Sequence, residues 1–210
     1  MLTFSKKQKL AYKIFFGLLG FSAVVTEMVV LIERGMFIDV RFFSYFTIQI
    51  NILVYFTLIA SAVFLALGQQ KRLDKLRGAA VTYIIVVGLG FALLLSHLSH
   101  ISFAAVAWDN IVLHYIMPVA VLLDYLIDPP AQPLRWSTAL TWLAYPLLYL
   151  GITLLRGLLT DWYPYPFLNV QKEGLAPVLG VVVGLFAMTV LVEFVVIALS
   201  RRKTSKPTRR

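Results

Sequence analysis

Two residues able to do chemistry stand where apolar sequence usually excludes them. They are Thr47 in YFTIQINIL (45–53) and His114 in AWDNIVLHYIMPVAVLLDYL (107–126). Each interrupts a stretch long enough to cross a bilayer. An imidazole can accept a proton from a hydroxyl, and the hydroxyl then becomes a competent nucleophile. Asn51 lies four residues after Thr47, and Asn110 lies four before His114. Each asparagine therefore shares a helical face with its neighbour, where it can orient the imidazole or stabilise an oxyanion. Pro118, four residues beyond His114, has no N–H to offer the carbonyl of residue 114, so a helix here carries a free carbonyl and bends. Polar side chains and freed carbonyls at membrane depth line a cavity or meet a neighbouring helix. The plainer reading of the same residues is an interhelical hydrogen-bond cluster that serves packing alone.

All three histidines fall within 97–114, which raises the question of a metal. His97 and His100 can share a helical turn, with Asp109 and His114 as further ligands. No HExxH-type motif accompanies them and 97–107 reads as a short exposed loop, so no metal is expected. A set of His97, His100 and His114 is the minor alternative. Asp109, five residues from His114 and near the surface, is a poor candidate for orienting the ring. No cofactor signature is present. The absence of cysteine excludes thiolate catalysis, disulfides and cysteine-ligated metals.

The elements that must position these residues follow from composition. Of 210 residues, 60% are hydrophobic and 14% charged, with a mean hydropathy of +0.84. That is too apolar for a soluble core of this size. Six segments are long enough to cross a membrane: 10–32, 45–67, 76–96, 108–127, 136–155 and 177–199. The fold expected is all-α, one bundle of six transmembrane helices over 1–200, with a basic tail at 201–210. The first span exceeds a signal-peptide core and no small-x-small cleavage site follows, so it is expected to remain as a helix.

The net charge of +9 does not imply nucleic acid, because six of the 19 basic residues lie in the last ten positions and four in the first 13. With both termini cytoplasmic, 15 basic residues lie inside and four (Arg34, Arg41, Arg156, Lys172) outside, which satisfies the positive-inside rule at every loop. That orientation gathers Glu27, Thr47, Asn51, His97, His100, Asn110 and His114 in the outer leaflet. Asp124 and Glu193 fall toward the inner ends of their spans, where snorkelling or pairing with nearby Lys or Arg is expected; a proton relay in a transporter is the alternative. The linker RGLLTDWYPYPFLNVQKEG suits the interfacial aromatic belt; it is read either as a lid or re-entrant turn, or as a simple anchor. Arg156 at its start can hold a carboxylate or lipid phosphate, and Tyr165 lies at its centre.

YFTIQINIL (45–53), LHYIMPVAVLLDYL (113–126), WLAYPLLYL (142–150) and WYPYPFLNV (162–170) together resemble a bacterial family of six-span membrane proteins containing YPYPF. More remotely the chain is similar to the eukaryotic androgen-induced and androgen-dependent membrane proteins, six-span threonine hydrolases of fatty acid esters of hydroxy fatty acids. The resemblance implies Thr47 of FTIQIN as nucleophile and His114 of NIVLHYIMP as base. Asn51, Asn110, Arg156 and Tyr165 are the candidates for orienting the imidazole, binding substrate or stabilising an oxyanion. It implies a protein of the bacterial cytoplasmic membrane acting on an amphiphilic lipid ester, with membrane lipids as its surroundings. The alternative is a non-catalytic lipid-binding protein or small-molecule transporter with a polar cluster in the outer leaflet.

Overall fold

The computed structural model describes residues 4–98 and 106–201 (of 70 and 71, the backbone only). Six of its helices are long and apolar enough to cross a membrane: span one Lys6–Glu33, span two Phe46–Ala66, span three Asp74–Leu95, span four Ala107–Ile127, span five Ser137–Thr160 and span six Leu175–Ser200. At 1.5 Å per residue, the shortest of these is roughly 31 Å long, enough for the hydrocarbon core. Among the described residues there is no strand. The chain is an integral membrane protein of the six-span helical class, as its hydropathy requires.

Local signals set the ends. Ser5 and Gln8 form a reciprocal capping box that starts span one. Spans one and two both end in a Schellman motif, with Gly35 (φ 66°) and Gly68 (φ 71°) in the left-handed conformation. Met36 and Gln69 donate back to Leu31 and Phe64 at 2.9 and 2.8 Å, pairing carbonyls that a helix end would orphan. Spans three and four each contain a π-helical turn, Phe91–Leu95 and Val112–Ile116.

Spans two, three and four are the most buried, with span one packed along span two and span six along span three. Ile50, Val54, Ile84, Leu113, Met117 and Val196 form their common core. Span five stands apart, with its closest backbone approach to span six. Aromatic rings fill much of the gap it leaves: Phe46 meets Tyr149 at 4.9 Å and Tyr83 meets Tyr145 at 5.5 Å between centroids. The apolar side chains exposed on the outside, such as Leu140, Leu159 and Val183, face the lipid.

A closed ionic cluster knots the bundle at the end that carries the termini. Lys13 Nζ lies 2.5 Å from Asp124 and 3.2 Å from Asp128. Arg77 lies 3.0 Å from Asp124 and 3.7 Å from Asp74, and donates to the Asp128 carbonyl at 2.5 Å. Lys9 completes it at 2.9 Å from Asp128. Three cations thus balance three carboxylates, and Lys13, Arg77 and Asp124 are all buried. Asp124 is paired as its position implied. Lys13 and Arg77 prove to be interior residues, although in the sequence they read as part of the basic rim.

Glu193 differs from expectation. It is buried beside Tyr83 and has no ion pair among the described residues. It lies seven residues, roughly 10 Å, above Ser200, out of reach of the rim cations.

Burial alone raises the Asp128 carboxyl, but Lys13, Arg77 and Lys9 outweigh burial and hold it below the ordinary carboxylate range. The sign follows from linkage: this stabilisation is complete above the unfolded value of about 3.9 and is lost as pH falls through the lower folded value. Thermal unfolding in detergent is therefore expected to lose stability below about pH 4 in the native protein. Asp128→Asn is expected to start lower at neutral pH and to lose less on acidification. Parallel acid profiles for the two proteins would show that Asp128 contributes nothing to this dependence.

Candidate functional site

At the opposite end, Thr47 occupies the first turn of span two, where backbone N–H groups have no helical partner. The Thr47 N–H donates to Tyr165 Oη at 3.2 Å, and Thr47 Oγ1 lies 3.4 Å from the same oxygen. Because Tyr165 Oη accepts the N–H, its own proton is available for Oγ1 or for a bound group. Burial pushes the Tyr165 hydroxyl above its ordinary value, so it remains a donor at neutral pH.

Tyr165 reaches this point because the 161–174 linker folds into the bundle. Asp161 ends span five in the left-handed conformation (φ 56°), and a short 3₁₀ turn, Pro166–Leu168, follows. Tyr165 and Leu168 pack with Phe91 and Leu95 in a second apolar cluster. Gly157 makes the fold-back possible, since any Cβ there would run into the Tyr163 ring. The linker therefore contributes a buried wall of the site as well as interfacial aromatic rings. Trp162 is flanked by two guanidinium groups, with Arg156 at 4.7 Å and Arg41 at 5.3 Å from its ring centroid.

His114 lies in the π turn of span four and is buried. Its Nδ1 is 3.1 Å from the backbone carbonyl of Asn110. A carbonyl can only accept, so Nδ1 carries the proton and Nε2 keeps its lone pair. The ring stacks on Phe91 at 3.9 Å, which fixes its plane. Below it, span three comes close at Gly88: a Cβ there would lie 2.9 Å from Pro118 Cγ and 3.1 Å from the His114 carbonyl oxygen. The π turn and the missing proline donor thus coincide with a close approach of the two helices.

Thr47 and His114 are walls of one cavity of about 560 Å³, with Glu27, Arg34, Arg41, Tyr45, Tyr165 and Lys172 among its other lining residues. They make no direct hydrogen bond to each other; the partner of Thr47 Oγ1 among the described residues is Tyr165. A second, apolar cavity of about 330 Å³ opens from the same point, and Thr47, Leu95 and Tyr165 line both.

The other sequence candidates take distinct positions. Asn51 is fully buried and its amide nitrogen donates to the carbonyls of Thr47 (2.9 Å) and Leu113 (3.3 Å). With both N–H groups engaged it has none left for an oxyanion, and it ties span two to the π turn beside His114. Asn110 acts on the imidazole through its backbone carbonyl. Arg156 bonds Ser44 Oγ and stacks on Trp162, beside the shared cavity and not on its wall. His97 is exposed and His100 lies outside the described residues. Among the described residues no group of three or more His, Asp or Glu is assembled for a metal.

Asp109 departs most from its sequence reading. It is fully buried, with its carboxyl against that of Glu27. One turn of helix carries it from the headgroup zone to the interface with span one, a rotation that hydropathy does not report.

These features define a six-span helical membrane protein with a polar cavity and an adjoining apolar one at the end opposite its termini. Comparison with family models, with curated proteins and with solved structures returns no match.

Gly88→Val is expected to destabilise the protein by roughly 1–3 kcal/mol, the cost of overpacking a tight contact, measured by unfolding in detergent. Unchanged stability would mean that the contact of Gly88 with Pro118 and the His114 carbonyl is not tight.

Proposed function

We propose that the protein hydrolyses lipid esters within the membrane, with Thr47 as nucleophile and His114 as general base. The observation that carries this reading is the shared cavity: Thr47 and His114, whose Nε2 keeps its lone pair, line one space at a depth where such groups are rare. The resemblance of FTIQIN and NIVLHYIMP to the threonine hydrolases names the same pair. Thr47 Oγ attacks the ester carbonyl carbon while its proton passes to His114 Nε2. The tetrahedral intermediate collapses, the C–O bond to the alcohol breaks, and the leaving alkoxide takes that proton. Water then attacks the acyl-threonine, giving a proton to His114 Nε2; the C–Oγ bond to Thr47 breaks, Thr47 Oγ takes that proton back, and the fatty acid leaves.

The Tyr165 hydroxyl and the first turn of span two supply donors and a positive dipole end for the oxyanion. Aligned acid–base help of this kind contributes about 10²–10⁴ in rate. Thr47 and His114 close to bonding distance only with substrate between them, as catalytic hydrogen bonds often do. The asymmetry of the basic residues supports an orientation with termini in the cytoplasm and the cavity facing the opposite leaflet of a bacterial cytoplasmic membrane.

A lipid-binding protein without catalysis is the second reading, favoured by one observation: Thr47 Oγ1 is paired with Tyr165 and not with His114. Turnover of a panel of acyl esters by the purified protein separates the two. Hydrolysis is expected in the native protein, with losses of at least 100-fold in Thr47→Ala and in His114→Ala. Activity surviving both substitutions, or absent in the native protein despite bound lipid, contradicts the hydrolase.

A further inference from the structure

The charges around the cavity are not those that membrane topology would leave there. Four of the 19 basic residues belong to this end of the bundle (Arg34, Arg41, Arg156, Lys172), against six acidic ones (Glu27, Glu33, Asp39, Asp109, Asp161, Glu173). The end as a whole is therefore acidic. The cavity wall reverses that sign, since Arg34, Arg41 and Lys172 line it and Glu27 is its one carboxylate. None of these three cations has an ion pair among the described residues. The fourth, Arg156, braces Trp162 of the same wall.

The apolar cavity is the complement. It runs between spans three, five and six past Val86, Gly90, Leu147, Leu150, Val183 and Phe186. From Leu95 to Val86 its span-three wall extends roughly 14 Å along the bundle. Leu147, Val183 and Phe186 are exposed on the lipid-facing surface, so a chain can enter from the side. A slot of about 330 Å³ sits at the small end of ligand pockets and suits one acyl chain, not two. It meets the polar cavity at Thr47, Leu95 and Tyr165, which line both.

We infer that the two cavities together bind a single-chain acyl ester with a phosphate-monoester headgroup, its tail in the groove, its ester carbonyl at Thr47 and its phosphate among Arg34, Arg41 and Lys172. Three cations on the wall face Glu27, with the Asp109 carboxyl behind it; even against both carboxylates the site stays net positive, and three separate cations suit the several oxygens of a phosphate monoester of about −1.5 to −2 better than a single carboxylate. Arginine forks and a lysine are the side chains that take phosphate best. The placement of the ester rests on the hydrolase reading; the ligand class rests on the cavities alone.

The test uses the full chain carrying Thr47→Ala, so that binding is read without turnover. Its ligands are 1-lauroylglycerol 3-phosphate, 1-lauroylglycerol, and a lauroyl ester ending in a carboxylate. The phosphate ligand is expected to bind at least tenfold more tightly than either of the others. Arg41→Gln with Lys172→Gln is expected to abolish that advantage while leaving 1-lauroylglycerol unchanged. Both residues are exposed, and Lys172→Gln alone, expected to weaken the phosphate ligand severalfold, guards against any loss of folding. Equal affinity for all three ligands, or equal weakening of all by the substitutions, overturns the inference; so does a carboxylate ligand that binds as well as the phosphate. Phosphate-dependent binding without turnover by the native chain defeats the hydrolase and leaves the ligand class standing. Turnover of neutral esters with no headgroup preference does the reverse.

Discussion

The architecture hangs on the buried ionic knot of Lys13, Arg77, Asp124 and Asp128. Charges removed from water must be paired closely and fully, or the bundle bears an uncompensated charge in low dielectric. Each member of this set comes from span one, span three or the end of span four, so their relative rotation and height are fixed at that end. Neither span five nor span six contributes a charge to the knot. Span six is held by apolar packing along span three, and by Leu134 donating to Ser200 while Arg201 donates to the Leu134 carbonyl. Span five is held more loosely, and the space beside it is the apolar groove.

With the far end locked, the cavity end can depart from regular helix. Span four carries a π turn and a proline within seven residues, and span three ends in a π turn of its own. Both departures fall where the helices meet around His114, Phe91 and Gly88. π turns at functional positions are a common way to re-aim one side chain. Here the imidazole is held by a carbonyl at Nδ1 and by a stacked ring, leaving Nε2 with its lone pair. Asn51 links the helix bearing Thr47 to the same turn. The inward-folded linker then adds Tyr165 to the threonine. Four separate segments thus converge near the junction of a polar cavity with an apolar one.

How much of this the sequence made legible depends on the physics behind each signal. The spans were readable because twenty-residue hydropathy is a strong signal, but their ends were less so: the Ser5 capping box starts span one at Lys6, four residues before the apolar run at residue 10. Thr47 and His114 were readable as polar interruptions at matched depth. The knot was not: Lys13 and Arg77 look like any rim cations until the fold brings Asp124, 111 residues after Lys13, against them. Asp109 was misread for a related reason, because depth along a helix says nothing about which neighbour it faces. The donor saturation of Asn51, and the choice of the Asn110 carbonyl over its amide, depend on distances that spacing cannot supply. Tyr165 was legible as a candidate only through its motif, since an aromatic linker in the interface need not turn inward.

The central claim is that Thr47 is the nucleophile activated by His114. Its most direct test is covalent capture: the purified protein is treated with a lipid-tailed fluorophosphonate and the adduct is located by peptide mass spectrometry. The account predicts phosphonylation of Thr47 that is lost in His114→Ala and blocked by excess lipid ester. An unlabelled Thr47, or labelling that persists undiminished in His114→Ala, would contradict it.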